Sequence, residues 1–130
     1  MPTLFLLFNH RLTPDQETDA RQSLGVSAFE YLPEPLQAIW SQVPPDAASL
    51  ITYLEPVRTW LASQARSGDF VLIQGDYGAT YLLVQAAVKL GLTALHGTTA
   101  RQTLEHPQPD GSVKIERVFR HARFRPYEQS

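Results

Sequence analysis

The sequence predicts a three-layer α/β sandwich, a mostly parallel sheet with helices on both faces, followed by a C-terminal β-hairpin. Three observations predict it. The runs Thr3–Phe8 and Phe70–Ile73 are nearly all apolar, as strands buried on both faces of a sheet are. The stretch Gly68–Arg101 reads strand, glycine turn, helix, strand, a βαβ unit whose strands are parallel and whose crossover is right-handed. Finally, Asp110-Gly111 separates two extended runs and marks a hairpin. The expected strand order is 2-1-3-4, with the two most apolar strands central and the order reversing between strands 1 and 3.

Each element has its own local signal. The first strand, Thr3–Phe8, ends in the polar cluster Asn9-His10-Arg11. Thr13-Pro14-Asp15-Gln16 then opens a helix, with Thr as cap, Pro at the first position and Gln three residues after the cap. That helix is expected to reach Leu24 and stop at Gly25. Ser27–Leu32 alternates and forms the second strand, closed by Pro33 and Pro35. A short helix is expected over Pro35–Gln42, broken by Pro44-Pro45. From Asp46, apolar residues at Leu50, Tyr53, Leu54, Val57, Trp60 and Leu61 keep helical spacing to Ala65, with a kink or division at Pro56.

After the third strand, Phe70–Ile73, the chain turns through Gln74-Gly75-Asp76-Tyr77-Gly78. It enters a helix over Ala79–Leu90 that Gly91 ends. Leu92–Leu95 makes the fourth strand, which runs into the polar loop His96-Gly97-Thr98-Thr99. Gln102–His106 and Val113–Phe119 are the expected hairpin arms, placing the hairpin at about residues 101–120. No element is expected from Arg123 to Ser130.

Composition narrows the function classes. A chain of 130 residues is one domain with one core. No apolar run approaches the roughly 20 residues of a membrane span, and Leu4–Phe8 is too short for a signal peptide. The absence of cysteine excludes disulfides and cysteine-based zinc sites and fits a cytoplasmic protein. A net charge of −2 argues against non-specific binding to duplex nucleic acid. Charge is nonetheless uneven. Lys114, Arg117, Arg120, Arg123 and Arg125 are five of the eleven Lys and Arg residues, opposed there only by Glu116.

Ligands of open parallel sheets bind at the carboxyl ends of the strands, and a helix starting there turns free N–H groups and a positive dipole end towards them. In the expected topology Asn9-His10 and Asp76-Tyr77-Gly78 face one another, with Thr98-Thr99 beside them. His10 is either a proton shuttle and charge stabiliser or a histidine bonding its own loop. Asp76 either orients a hydroxyl or caps the following helix. Tyr77 stacks on a base or packs over the turn. Gly75 and Gly78 allow close backbone approach, while Thr98, Thr99 and Arg101 suit phosphate. No dinucleotide-binding, P-loop, nucleophile-elbow or paired-histidine metal motif occurs. His96, His106 and His121 are scattered and assigned to no metal. Together the residues make a polar, phosphate-compatible pocket.

The segments LFLLFNHRLTPDQ, VLIQGDYGATY and HGTTAR together resemble small type III CRISPR-associated accessory proteins of the Rossmann-like ring nuclease group, related to the sensor domains that bind cyclic oligoadenylate. The resemblance is strongest over residues 3–16 and 70–101. It implies a homodimer that binds cyclic tetra-adenylate across its two-fold axis and opens the ring without metal or other cofactor. In that reaction a ribose 2′-hydroxyl attacks the neighbouring phosphate, which switches off the antiviral signal. On this reading His10 serves as acid/base or charge stabiliser and Asn9 orients phosphate. Asp76 and Thr98 hold the ribose hydroxyl, and Tyr77 contacts adenine. Arg11, Gly75, Gly78, Thr99 and Arg101 complete the ligand-binding set. Two other readings remain open: a non-catalytic cyclic oligoadenylate sponge or sensor, and an α/β domain for another nucleotide or a protein partner.

Overall fold

β1 (Thr3–Leu7) sends alternate side chains into two separate hydrophobic layers, and the fold is built outward from it. The computed structural model describes residues 1–129. β1 pairs in parallel with β2 (Ala28–Tyr31) on one side and β3 (Phe70–Ile73) on the other. β3 pairs in parallel with the start of β4 (Thr93–Pro107), and β4 pairs antiparallel with β5 (Val113–Pro126). The sheet has five strands in the order β2-β1-β3-β4-β5, so the expected order of the first four and the reversal between β1 and β3 both hold.

Helices cover both faces. Phe5 and Leu7 of β1 and Val71 and Ile73 of β3 pack against Trp40, Val57, Leu61, Ala79 and Leu83. These last come from α2 (Glu34–Ser41), α3 (Glu55–Gln64) and α4 (Tyr77–Lys89). On the other face, Leu4, Leu6, Leu72, Leu95 and Phe124 meet Leu12, Ala20 and Val26 around α1 (Pro14–Asp19) and the π-helical turn Ala20–Leu24. The period of two along each strand therefore feeds two cores. This is a mixed α/β protein.

Local signals mostly appear where expected. Thr13 Oγ1 accepts from the Gln16 N–H at 3.2 Å and Gln16 Oε1 from the Thr13 N–H at 2.9 Å, the reciprocal cap. Gly91 ends the crossover helix at φ +75°, and a Cβ there would lie 2.6 Å from Ser67 Oγ, so only glycine fits. At the amino edge, Asp69 accepts from the Thr3 N–H at 3.0 Å and the Arg66 N–H at 2.9 Å, tying β1 to the entry of β3.

Four expectations are corrected. The helix expected from Asp46 starts only at Glu55, and Pro56 sits in its first turn instead of kinking it, because a first-turn proline gives up no helical hydrogen bond. α4 begins at Tyr77, so Tyr77 and Gly78 are helical, not part of the preceding turn. The fourth strand does not end at Leu95 in a polar loop. It continues unbroken to Pro107, and His96-Gly97-Thr98-Thr99 are ladder residues paired with β5. Likewise the tail read as structureless carries β5 as far as Pro126. Polar, half-solvated strands lack the apolar signature by which a buried strand is read.

Candidate functional site

The polar side chains beyond the strand ends gather in two clefts at the carboxyl edge, not one. The first, ≈ 490 Å³, lies between the ends of β1 and β2 and the helix α2, walled by Phe8, Asn9, His10, Arg11, Tyr31 and Gln37 among others. Asn9 Oδ1 accepts from Ser41 Oγ at 3.1 Å. Gln37 Nε2 donates to Ser41 Oγ and to the Phe8 carbonyl, both at 2.9 Å, so α2 fixes the loop after β1. His10 is exposed, and its ring stands edge-on to Phe8 at 5.5 Å. The Arg11 guanidinium lies 4.4 Å over the Tyr31 ring, a cation–π contact that leaves its donors facing outward.

The second cleft, ≈ 330 Å³, surrounds the start of α4 and is lined by Gln74, Gly75, Tyr77, Thr80, His96, Gly97 and Tyr127. Gln74 Oε1 accepts from the Gly97 N–H at 2.7 Å, holding the ends of β3 and β4 together. The Tyr127 hydroxyl donates to the Ile73 carbonyl at 2.7 Å, and burial pushes its pKa above the usual phenol value. His96 rests on the Tyr127 ring at 4.9 Å. Thr80 Oγ1 is buried and has no partner among the described residues. Tyr77 is 94% exposed, so its ring is free for a planar ligand.

Trp40 lines neither cleft, but it ties α2, which walls the first, to Gln74 and Gly75, which line the second. It is fully buried, its indole N–H donates to the Gln74 carbonyl at 3.1 Å, and a Cβ on Gly75 would meet the indole at 3.0 Å. Gly75 is therefore a packing glycine as well as a ligand-approach position. A more apolar groove of ≈ 440 Å³ between α3 and α4, with Leu54, Leu83 and Leu90 in its wall, gathers no acid–base cluster.

The single pocket expected from the sequence is thus divided. Asn9, His10 and Arg11 line one cleft and Gly75 and Tyr77 the other, with no residue in common. Asp76 lines neither. It is the N-cap of α4, its Oδ2 accepting from the Ala79 N–H at 3.0 Å, while Gly78 lies inside the first turn. Thr98, Thr99 and Arg101 leave the site altogether, carried away on β4. Thr98 Oγ1 donates to the Arg123 carbonyl and accepts the Arg123 N–H, pinning an irregular step in the ladder. Arg101 stacks over Phe119 at 5.5 Å. Sequence reasoning missed Gln74, Tyr127 and the role of Trp40, and left His96 unassigned. Their contacts span 23 to 54 positions, beyond any local period.

A family model matches residues 2–125. The chain belongs to the Uncharacterized protein MJ1673 family. It is 46% identical over 127 residues to uncharacterized protein MJ1673 of Methanocaldococcus jannaschii, a match that covers 98% of each chain. No solved structure matches it. The match to the MJ1673 family spans both clefts and both long strands up to Arg125; Tyr127 lies just past it. Among the described residues of this family member, no helix is long and apolar enough to cross a membrane, and no group of three metal-ligating side chains converges.

Proposed function

We propose that the chain is a Rossmann-like ring nuclease of type III CRISPR defence. It acts in the cytoplasm as a homodimer that binds and opens cyclic tetra-adenylate. The observation that supports this reading is the pair of polar clefts at one sheet edge, linked through the Trp40 bond from α2 to the Gln74 carbonyl and each holding one imidazole, His10 and His96. A mononucleotide fills one such cleft, whereas a ring with several phosphates and bases spans both. The start of α4 offers unpaired N–H groups to phosphate, Tyr77 a face to adenine, and Arg11 a guanidinium.

In this reaction a ribose 2′-oxygen attacks the adjacent phosphorus and the bond from phosphorus to the next 5′-oxygen breaks. The 2′-hydroxyl proton passes to a base, and the leaving 5′-oxygen takes a proton from an acid. The products are a 2′,3′-cyclic phosphate and a free 5′-hydroxyl. His10 is the acid/base we assign to the step, with His96 as the second imidazole. Alignment and charge stabilisation supply the rest, and no cofactor is required.

A second reading, a binding-only sponge or sensor, is favoured by one feature: Asp76 and Thr98, assigned to the ribose hydroxyl, already have hydrogen-bond partners within the chain. Incubation with labelled cyclic tetra-adenylate, with and without EDTA, separates the readings. Linear products ending in a cyclic phosphate despite EDTA are the expected result, and retention of intact ligand identifies a sponge. His10→Ala is expected to slow cleavage by roughly a hundredfold or more with much less effect on binding. Equal loss of both, or no loss, removes His10 from the mechanism. Neither binding nor cleavage removes the ligand.

A further inference from the structure

Beyond Leu95, β4 leaves β3 behind, and from Thr99 to Pro107 it pairs only with β5. The result is a two-stranded arm without a covering layer, and isolated two-stranded ribbons are marginal in water. Its base is anchored. His121, nearly buried, bonds Asp19 at 2.7 Å and stacks on Phe124 at 4.6 Å. Directly paired residues share a face of a ribbon. One face of the arm therefore carries the pairs Arg101/Phe119, Thr103/Arg117, Glu105/Ile115 and Pro107/Val113. Phe119, Ile115 and Val113 are 65%, 59% and 52% exposed, three large apolar side chains on one face with Arg117 between Phe119 and Ile115.

The pattern on that face is self-complementary. On either side of Thr103/Arg117 stands a pair with a charged residue on β4 and an apolar residue on β5: Arg101 with Phe119, and Glu105 with Ile115. We propose that the arm docks face to face on the arm of a second copy of this chain, about a two-fold axis that lies between the two ribbons and runs across the strands at the Thr103/Arg117 pair. Such an axis lays β4 over β4 and β5 over β5 in opposite directions. It sets Glu105 against Arg101 of the second copy and Ile115 against Phe119 of the second copy, each contact occurring twice. Among the described residues neither Glu105 nor Arg101 has an ion-pair partner within the chain. Arg117 stands at the axis opposite Arg117 of the second copy, each stem lying along the apolar side chains and each head turned to water at the rim, where the two like charges are screened. Edge-to-edge pairing through β5 is more strongly disfavoured, because it would oppose all of Lys114, Arg117, Arg120, Arg123 and Arg125 to the same basic strand, whereas the face-to-face contact opposes only Arg117 to its copy. The contact does not depend on the identity of the ligand.

Charge reversal tests the geometry directly, with association measured by sedimentation equilibrium and folding by circular dichroism. The wild type is expected to dimerise. Arg101→Glu and Glu105→Arg, both at exposed positions, are each expected to weaken association by roughly tenfold or more. The double variant restores an opposite-charge contact across the axis and is expected to dimerise again. Phe119→Asp is expected to abolish association while the chain stays folded. A monomeric wild type overturns the proposal, as do single reversals that associate normally or a double variant that stays as weak as the singles.

Discussion

Residues 93–95 and residues 99–107 belong to one strand, β4, yet they stand in different surroundings. Ala94 and Leu95 are buried between helical layers and paired with β3 on one side; on the other, Leu95 pairs with Pro126 of β5 and the Ala94 carbonyl accepts the Tyr127 N–H at 2.9 Å. Residues 99–107 are paired on one side only and mostly exposed on both faces. The first segment is held by burial of apolar surface, the second by ladder hydrogen bonds, the Asp19–His121 anchor and, on our proposal, a second copy of the chain. Secondary structure is thus one property of this strand, and stability another.

The largest expected difference between the regions lies at Trp40. Trp40→Ala leaves a cavity in the core beneath α2 and removes the donor to the Gln74 carbonyl, so a loss of about 3–5 kcal/mol of unfolding free energy is expected. A loss below about 1 kcal/mol would mean that the core around Trp40 collapses freely and that burial does not set the core apart from the arm.

An intermediate effect is expected where the arm meets the core. Burial alone would raise the Asp19 carboxyl pKa, but hydrogen bonds from Ser23 and His121 and the charges of His121 and Arg123 outweigh it and hold the pKa below the usual value. A depressed folded-state pKa stabilises the fold above the unfolded value of about 3.9, and that contribution is lost as pH falls through the folded value. Asp19→Asn is expected to cost about 1–3 kcal/mol near neutrality and to flatten the acid limb of a stability-against-pH curve. An unchanged acid limb would show that the anchor carries no charge coupling.

The smallest effect belongs to the arm tip. Val113→Thr, by denaturant titration of the single chain, is expected to change stability by no more than about 0.5 kcal/mol, since Val113 is exposed. A clearly larger loss would show that the tip is packed in the folded monomer and would erase the contrast.

Much of the core half was legible because its signals are local. The apolar runs at Thr3–Leu7 and Phe70–Ile73, the Thr13–Gln16 cap and the stops at Gly25 and Gly91 act over a few residues, and each appears in the structure. The arm was legible only as a hairpin, since its polar strands carry no burial pattern to mark where they begin. The site was half legible. The strand ends and the polar residues on them were readable, but their partition was not. Thr98, Thr99 and Arg101 follow a strand in sequence, and nothing local says whether that strand stops or runs on.

The sequence by itself determined the α/β class, the parallel order of the first four strands and the edge at which ligand-competent side chains collect. Those follow from hydrophobic periodicity, turn chemistry and the handedness of crossovers, all written within short windows. The tertiary structure alone decided that the edge is split into two clefts, that Gln74, His96 and Tyr127 line one of them, and that β4 carries three expected site residues out of them. Each of those outcomes rests on contacts between distant segments, whose energy exists only once the sheet has brought them together.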